Sequence, residues 1–334
     1  MTDDKKSTGW GGEPVSPPDL SEIKAAAKRL EGIIVRTPLV PLHRYDAKVD
    51  ILLKPEMLQP IGSFKVRGVY NWAACLSEAE RENGLSTISA GNTALALGYA
   101  ARRFDVMARS FLPDSVPDAR VTAIQSYGMD AVKLPRDDLF RYIFESLWKK
   151  EPYCFLNPWA DPNMIAGSGT IGLEIFDDLK TVDTVYIPIG GGGLVSGAGS
   201  ALKTLKPSIR IVGVQSESCP ALQTSLDAGG PVWINTRPTI CHGTTVPFVV
   251  DEMFPLIKQV VDDVVLVSED AVKSVIKRLA MGNKMVVEGS GALSVAAALA
   301  EPPEKRGQTV CILSGGSIDP EELAEIVAMP TSDN

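Results

Sequence analysis

The segment TVYIPIGGGGLVSG, residues 184–197, passes from an apolar run through four glycines into small and apolar residues. The run is short and apolar, as a buried strand is, and GGGGLVSGAGSALKTL continues it as a turn and an amphipathic helix. Gly190, Gly191, Gly192 and Gly193 between them permit φ > 0 and let backbone amides approach a ligand closely. Free amides and a positive dipole end at a helix N-terminus form a cradle for an anion. The loop lacks the Gly-Lys-Ser/Thr of a nucleotide P-loop and the usual GxGxxG setting, so it suits one phosphate better than a dinucleotide. A tight strand-to-helix turn with no ligand is the plainer alternative.

The same alternation extends along the chain. VDILLKPEM, LSTISAG, ARSFLPD, DAVKLP, CFLNPW, RIVGVQ, VVDDVVLV and TVCILS read as strands, and the segments between them carry helical spacing. DLSEIKAAAKRLEGI predicts a first helix capped by Asp19 or Ser21, with Ile23, Ala27 and Leu30 inward. SFKVRGVYNWAACLSEAERENG predicts a turn and one helix ending at Gly84, and DLFRYIFESLWKKE another helix. Strands alternating with helices predict an α/β fold of mostly parallel sheets, with ligands at the carboxyl ends of the strands. That rule singles out the loops after STIS, YIPI and CILS.

Composition narrows the possible functions. The 334 residues suffice for two domains, and 45% hydrophobic with 22% charged residues is ordinary for a globular protein. A formal charge of −8 and the lack of a Lys/Arg cluster argue against a nucleic-acid partner. The polar first residues predict no signal peptide, and no stretch approaches the roughly 20 apolar residues of a membrane span. Five scattered cysteines, without CxxC spacing, read as small buried hydrophobes in a reduced, cytoplasmic compartment. With only His43 and His242, a histidine-rich metal site cannot be built, and no metal is expected.

Two further loops offer chemistry. SAGNTALALG brings Ser89, Ala90, Gly91, Asn92 and Thr93 to the start of a helix, where hydroxyls, an amide and free N–H groups suit a carboxylate or merely cap the helix. SGGSID, residues 314–319, reads alone as a glycine-rich turn. Upstream, IGSFKVRG (61–68) sets Lys65 among small and aromatic residues, either as a surface cation or as an amine held for reaction.

In this order and at these spacings, the lysine, the Asn turn, the four glycines and the late SGG turn resemble the fold type II pyridoxal-5′-phosphate enzymes, the tryptophan synthase β family. Within it the chain looks most like the threonine/serine dehydratase and serine racemase branch, over roughly residues 20 to 325. The resemblance implies two open twisted α/β domains with the cofactor in the cleft between them. Residues 19–74 and 161–334 would form the large domain and 75–160 the small substrate-binding domain, after a disordered tail at 1–18. Lys65 would form the Schiff base with pyridoxal phosphate and later take the Cα proton. Phe64 would pack near the ring, Asn92 would bond its phenolic oxygen, Gly190 to Gly193 would hold the phosphate, and Ser314 would face the pyridine nitrogen. Ser89, Ala90, Gly91, Asn92 and Thr93 would meet the substrate, with its carboxylate on Ser89, Gly91 and Thr93.

The implied activity is α,β-elimination of L-threonine, L-serine or a related 3-hydroxy amino acid to a 2-oxo acid and ammonia, by a homodimer. Departures from the branch bear on this. Ala90 stands where racemases are expected to carry serine, which demotes racemisation. Asn92 is followed by Thr93 and not histidine, which keeps a β-replacement synthase of the cysteine synthase type as the alternative. In RPTICHGTTVPF, Pro238 and His242 occupy places where some members bind a divalent cation through acids, so none is expected; His242 is instead a candidate substrate contact. Glu288 in VVEGSGAL lies near the site by resemblance, although a helix-terminal acid explains it equally well. The length leaves no room for the extra regulatory domain of biosynthetic threonine dehydratases.

Overall fold

The computed structural model describes residues 8, 9, 11–43 and 51–330. Its strands are β1 (Val40–Pro41), β2 (Ile51–Pro55), β3 (Leu85–Ile88), β4 (Ala108–Pro113), β5 (Asp130–Leu134), β6 (Cys154–Leu156), β7 (Thr184–Pro188), β8 (Arg210–Ser216), β9 (Asp263–Val267) and β10 (Thr309–Leu313). They form a six-stranded sheet, ordered β1-β2-β10-β7-β8-β9, and a four-stranded sheet, ordered β5-β4-β3-β6. Every pairing is parallel except β1 with β2. The expected mostly parallel α/β architecture is therefore what forms. Strands β7 and β10 are buried at every position, as strands covered by helices on both faces must be.

Because β2, β10 and β7 are adjacent and parallel, their carboxyl ends open on one edge of the large sheet. The helix Lys65–Cys75 leaves that edge and buries Val66, Val69, Tyr70, Trp72 and Ala73 in a core shared with Leu85, Leu97 and Leu112 of the smaller sheet and its helices. It also crosses the helix Pro162–Asp178 at backbone distance. A Cβ on Gly68 would lie 2.6 Å from the Met164 carbonyl oxygen, and one on Gly167 would lie 2.5 Å from that of Arg67.

Beneath this crossing lies a closed set of charges. Fully buried Arg67 donates through Nε and Nη2 to the two Glu56 oxygens at 2.7 and 2.8 Å. Its Nη1 and Nη2 also reach the two Glu174 oxygens at 2.7 and 2.9 Å. Lys54 Nζ donates to Glu174 Oε2 at 2.5 Å and to the Thr37 carbonyl at 2.6 Å. Two cations and two carboxylates balance, and the attraction holds Glu56 ionised against its burial.

Several local expectations are corrected. The helix expected to run unbroken to Gly84 ends at Cys75, and a short helix Glu78–Glu82 restarts after it. Ser77 and Glu80 form a reciprocal capping box, so the serine turns the chain instead of extending it. The helix from Arg136 likewise stops at Phe144, with Ser146 at φ +51°. Asp19, not Ser21, caps the first helix, and Ala26 in place of Ala27 turns inward. The helices Ala221–Asp227 and Phe254–Val260 are not anticipated by the sequence pattern. Among residues expected in a disordered tail, Thr8 donates to Asp251, and the amides of Gly12 and Val15 donate to Glu252. Residues 1–7 and 10 of that tail lie outside the described residues. Cys75 and Cys154 are only partly buried, unlike Cys219, Cys241 and Cys311.

Replacing Arg67 with Met leaves the buried Glu56 without its guanidinium and Glu174 with Lys54 alone. Urea unfolding should show a loss of about 3–5 kcal/mol, the usual cost of leaving a buried charge unpaired. A change within about 0.5 kcal/mol, as for an ordinary surface site, would contradict the role given to this network.

Candidate active site

Backbone bonds fasten the IGSFKVRG turn to the loop after β10. Phe64 N donates to the Ser314 carbonyl at 3.0 Å, Gly316 N donates to that of Gly62 at 2.9 Å, and Ser63 bridges Gly315. Gly62 makes the turn at φ +73°, a conformation open to glycine at little cost. The Lys65 turn and the buried Ser314 are thereby brought together.

Lys65 opens its helix, and its Nζ lies 5.1 Å from the centroid of the Phe64 ring. Among the described residues no hydrogen bond or ion pair engages the amine. Burial pushes its pKa down to about 8, opposed by the charge of Glu288. A substantial neutral fraction near physiological pH is what a nucleophilic amine requires.

Glu288 sits just before the helix Gly289–Ala300, yet its carboxylate does not cap that helix. It accepts instead from Asn92 Nδ2 at 3.0 Å, while Ser317 Oγ donates to Asn92 Oδ1 at 2.9 Å. These bonds fix both ends of the Asn92 amide and join the smaller sheet's turn to the larger sheet's loops. Burial raises the Glu288 pKa to about 7, against the Asn92 bond and the charges of Arg120 and Lys65.

In the turn before Asn92, Ser89 N donates to the Phe111 carbonyl at 3.1 Å. Ser89 Oγ accepts from Gly91 N at 3.2 Å, and Gly91 leads into the helix Asn92–Phe104 without a side-chain cap. Thr93 is buried at 5% exposure, and Ala90 is half-buried against the smaller sheet's core.

The four glycines differ from one another. A Cβ on Gly190 would lie 2.9 Å from Thr244 Cα, one on Gly191 2.0 Å from Trp159 Cδ1, and one on Gly192 2.3 Å from Ile257 Cδ1. Gly192 also holds φ +89°. Gly193 alone escapes a close approach, the nearest atom outside its own helix being the Trp159 carbonyl oxygen at 3.7 Å, an ordinary contact. The helix Gly193–Leu205 has no side-chain cap, so its first amides retain their donor capacity.

His242 is exposed, and among the described residues its side chain makes no hydrogen bond or ring contact. The turn His242–Thr244 contributes other groups: Gly243, whose Cβ would lie 3.2 Å from Glu288 Oε1, and Thr244, bonded to Ser290 Oγ at 3.2 Å and packed on Gly190. Thr244, Ser317 and Arg120 escaped the sequence reading. Thr244 and Ser317 lie in the RPTICHGTTVPF and SGGSID segments already singled out, but nothing there distinguishes them from their neighbours, and Arg120 lies in none of the loops singled out.

These groups suit pyridoxal phosphate. An unpaired amine of lowered pKa, an uncapped glycine-lined helix end without a close approach at Gly193, and an oriented amide at Asn92 match its aldehyde, phosphate and phenolic oxygen. Residues 30–315 match the family described as pyridoxal-phosphate dependent enzyme. The chain belongs to this family.

Among curated relatives of this pyridoxal-phosphate enzyme, the L-threonine ammonia-lyase of Thermotoga maritima is 36% identical over 92% of this chain and 78% of its own. The catabolic L-threonine dehydratase of Escherichia coli K12 is also 36% identical, over 93% of this chain and 96% of its own. Among solved structures, a processed threonine deaminase isoform of Solanum lycopersicum superposes with a TM-score of 0.82 at 29% identity, covering 96% of this chain and 95% of that one. A maize serine racemase superposes at 0.82 with 28% identity, covering 93% and 97%.

The two shifted pKa values have separate consequences. Incorporation of added pyridoxal phosphate by the apoprotein should accelerate with pH and level off near pH 8, where Lys65 loses its proton. A rate still climbing at about pH 10 would indicate an ordinary lysine. Glu288 binds a proton more readily folded than unfolded, so its contribution to stability worsens as pH rises from about 4.5 to about 7. Glu288→Gln should therefore stabilise the apoprotein at about pH 8 by about 1–2 kcal/mol and little at about pH 5, allowing about 1.4 kcal/mol per pKa unit less the lost attractions. Equal effects at both pH values in denaturant titrations would contradict this account.

Proposed function

We propose that the enzyme is an ammonia-lyase that converts L-threonine, L-serine or a related 3-hydroxy amino acid to a 2-oxo acid and ammonia. The observation that carries the reading is the unpaired Lys65 amine, beside Phe64 and the Glu288–Asn92 pair, in a chain 36% identical to threonine ammonia-lyases over nearly its whole length. When bound, pyridoxal phosphate supplies an electron sink for the pair left at the substrate Cα. Gly190 to Gly193 would hold its phosphate with backbone amides, Asn92 its phenolic oxygen, Phe64 its ring, and Ser314 its pyridine nitrogen. A serine hydroxyl there is neutral and would not hold a proton on that nitrogen as a carboxylate would. This suits prompt loss of a β-leaving group more than transamination.

The substrate carboxylate would rest on Ser89, Gly91 and Thr93, orienting the Cα–H bond toward Lys65 Nζ. Lys65 would take that proton as general base and return it to the β-hydroxyl, which departs as water. The released enamine rearranges to an imine, which water hydrolyses to the 2-oxo acid and ammonia. Ala90 offers no proton donor beside the turn, which supports elimination over racemisation. His242, exposed on its turn, is given no step. The same reading takes residues 75–160 as the substrate-binding unit, 19–74 with 161–334 as the cofactor-binding unit, and a cytoplasmic homodimer as the working form. No helix among the described residues is long and apolar enough to cross a membrane.

L-Threonine supplied alone should yield equimolar 2-oxobutanoate and ammonia, and Lys65→Ala should reduce this by about 10³-fold or more, the order expected when a residue acting as both base and nucleophile is lost. Turnover only with an added nucleophile would favour the β-replacement reading and overturn this one. Gly193→Ala should leave the apoprotein's thermal midpoint unchanged, since its methyl meets no atom outside its own helix closer than 3.7 Å, yet weaken binding of pyridoxal phosphate. Undiminished affinity in that variant would remove the phosphate from this loop.

A further inference from the structure

Arg120 has no place in the chemistry above. It lies in the first turn of the helix Asp118–Gln125, beyond β4, and reaches back toward the Ser89–Asn92 turn. Its Nη1 lies 4.0 Å from where a Cβ of Gly91 would stand. The nearest acid in its own helix is already committed: Asp118 accepts from Lys133 at 2.9 Å. Among the described residues the Arg120 side chain makes no hydrogen bond and no ion pair, its backbone amide donating to the Pro117 carbonyl at 3.0 Å. Its charge also opposes the rise in the Glu288 pKa, and Glu288 is bonded to Asn92 of the same turn.

An exposed guanidinium normally has little reason to lie over a glycine turn. Here the turn offers uncapped helix amides, and the guanidinium adds a fixed positive charge close to Gly91, in a chain of net charge −8. A planar carboxylate between them would receive amide donors on one edge and the guanidinium fork on the other. We propose that Arg120 binds the α-carboxylate of the amino-acid substrate, closing over the Ser89–Thr93 turn. This rests on the ammonia-lyase reading for the substrate's class but not for its test. The backbone donors orient the carboxylate, while Arg120 supplies the charge that selects an amino acid over an uncharged amine.

The test separates carboxylate recognition from turnover by using glycine, which has no β-leaving group. Dissociation constants for glycine and for glycinamide, which lacks the negative charge, are read from the cofactor absorbance of wild-type, R120Q and R120K holoenzymes. R120Q should weaken glycine about 10- to 100-fold, the range of a charge-assisted hydrogen bond, and leave glycinamide unchanged. R120K should recover part of the loss, because lysine keeps the charge but not the fork. Equal weakening of glycine and glycinamide, or of neither, overturns the proposal. So does a loss confined to 3-hydroxyaspartate in parallel titrations, which would put the guanidinium on a side-chain carboxylate. Glycine binding is measured without chemistry, so a failure of L-threonine to react would count against the proposed reaction and leave this result standing.

Discussion

The fork that Arg67 makes with Glu56 and Glu174 is the constraint on which the cleft depends. Arg67 stands two residues beyond Lys65 on the same helix, so the placement of one sets the placement of the other. Glu56 follows the end of β2, and Glu174 lies on the helix Pro162–Asp178, so the fork ties the large sheet, that helix and the lysine-bearing helix at one point. Such buried pairs add little net stability compared with apolar packing, because desolvation offsets most of the attraction. What they impose is a single arrangement, since any slip leaves a charge unsatisfied in the interior. The backbone contacts at Gly68 and Gly167 act alongside, holding the two helices too close for any other residue.

Above this base, the cleft is built to carry few committed charges. Lys65 and Glu288 are both pushed toward neutrality by burial, and each opposes the other's shift. An amine and a carboxyl that both titrate near neutral pH can exchange protons with a substrate at little free-energy cost. Permanent charge is left to the periphery, at Arg120, and the glycine loop presents uncapped helix amides in place of lysines. The interior therefore remains responsive to the groups that enter it.

Features whose cause is local are legible in the sequence. Strand periodicity, the four glycines and the setting of Lys65 each show within a short stretch of chain, and the alternating pattern leads to the parallel sheets. A local signal with two meanings can mislead. Ser77 reads as an interior helix residue because no glycine or proline interrupts the chain between Gly68 and Gly84, whereas its capping box with Glu80 starts a new helix. Arg67 reads as an ordinary neighbour of the lysine, for nothing nearby reveals that its partner Glu174 lies 107 residues further on. Arg120 lies in no loop the sequence singles out, and Thr244 and Ser317 are not distinguished within theirs, since only the side-by-side placement of β2, β10 and β7, and the approach of the smaller sheet, gives them their surroundings. Glu288 has two meanings in the sequence, helix-terminal acid or site residue. The lack of a capping bond from its side chain, and its bond to Asn92, place it with the site.

The central claim is that Lys65 is the residue to which the cofactor is joined. Borohydride reduction of the holoenzyme followed by peptide mass mapping tests it directly. The account predicts one phosphopyridoxyl group per chain, on the peptide containing Lys65. A label on any other lysine, or none on a protein that has bound pyridoxal phosphate stoichiometrically, would contradict it.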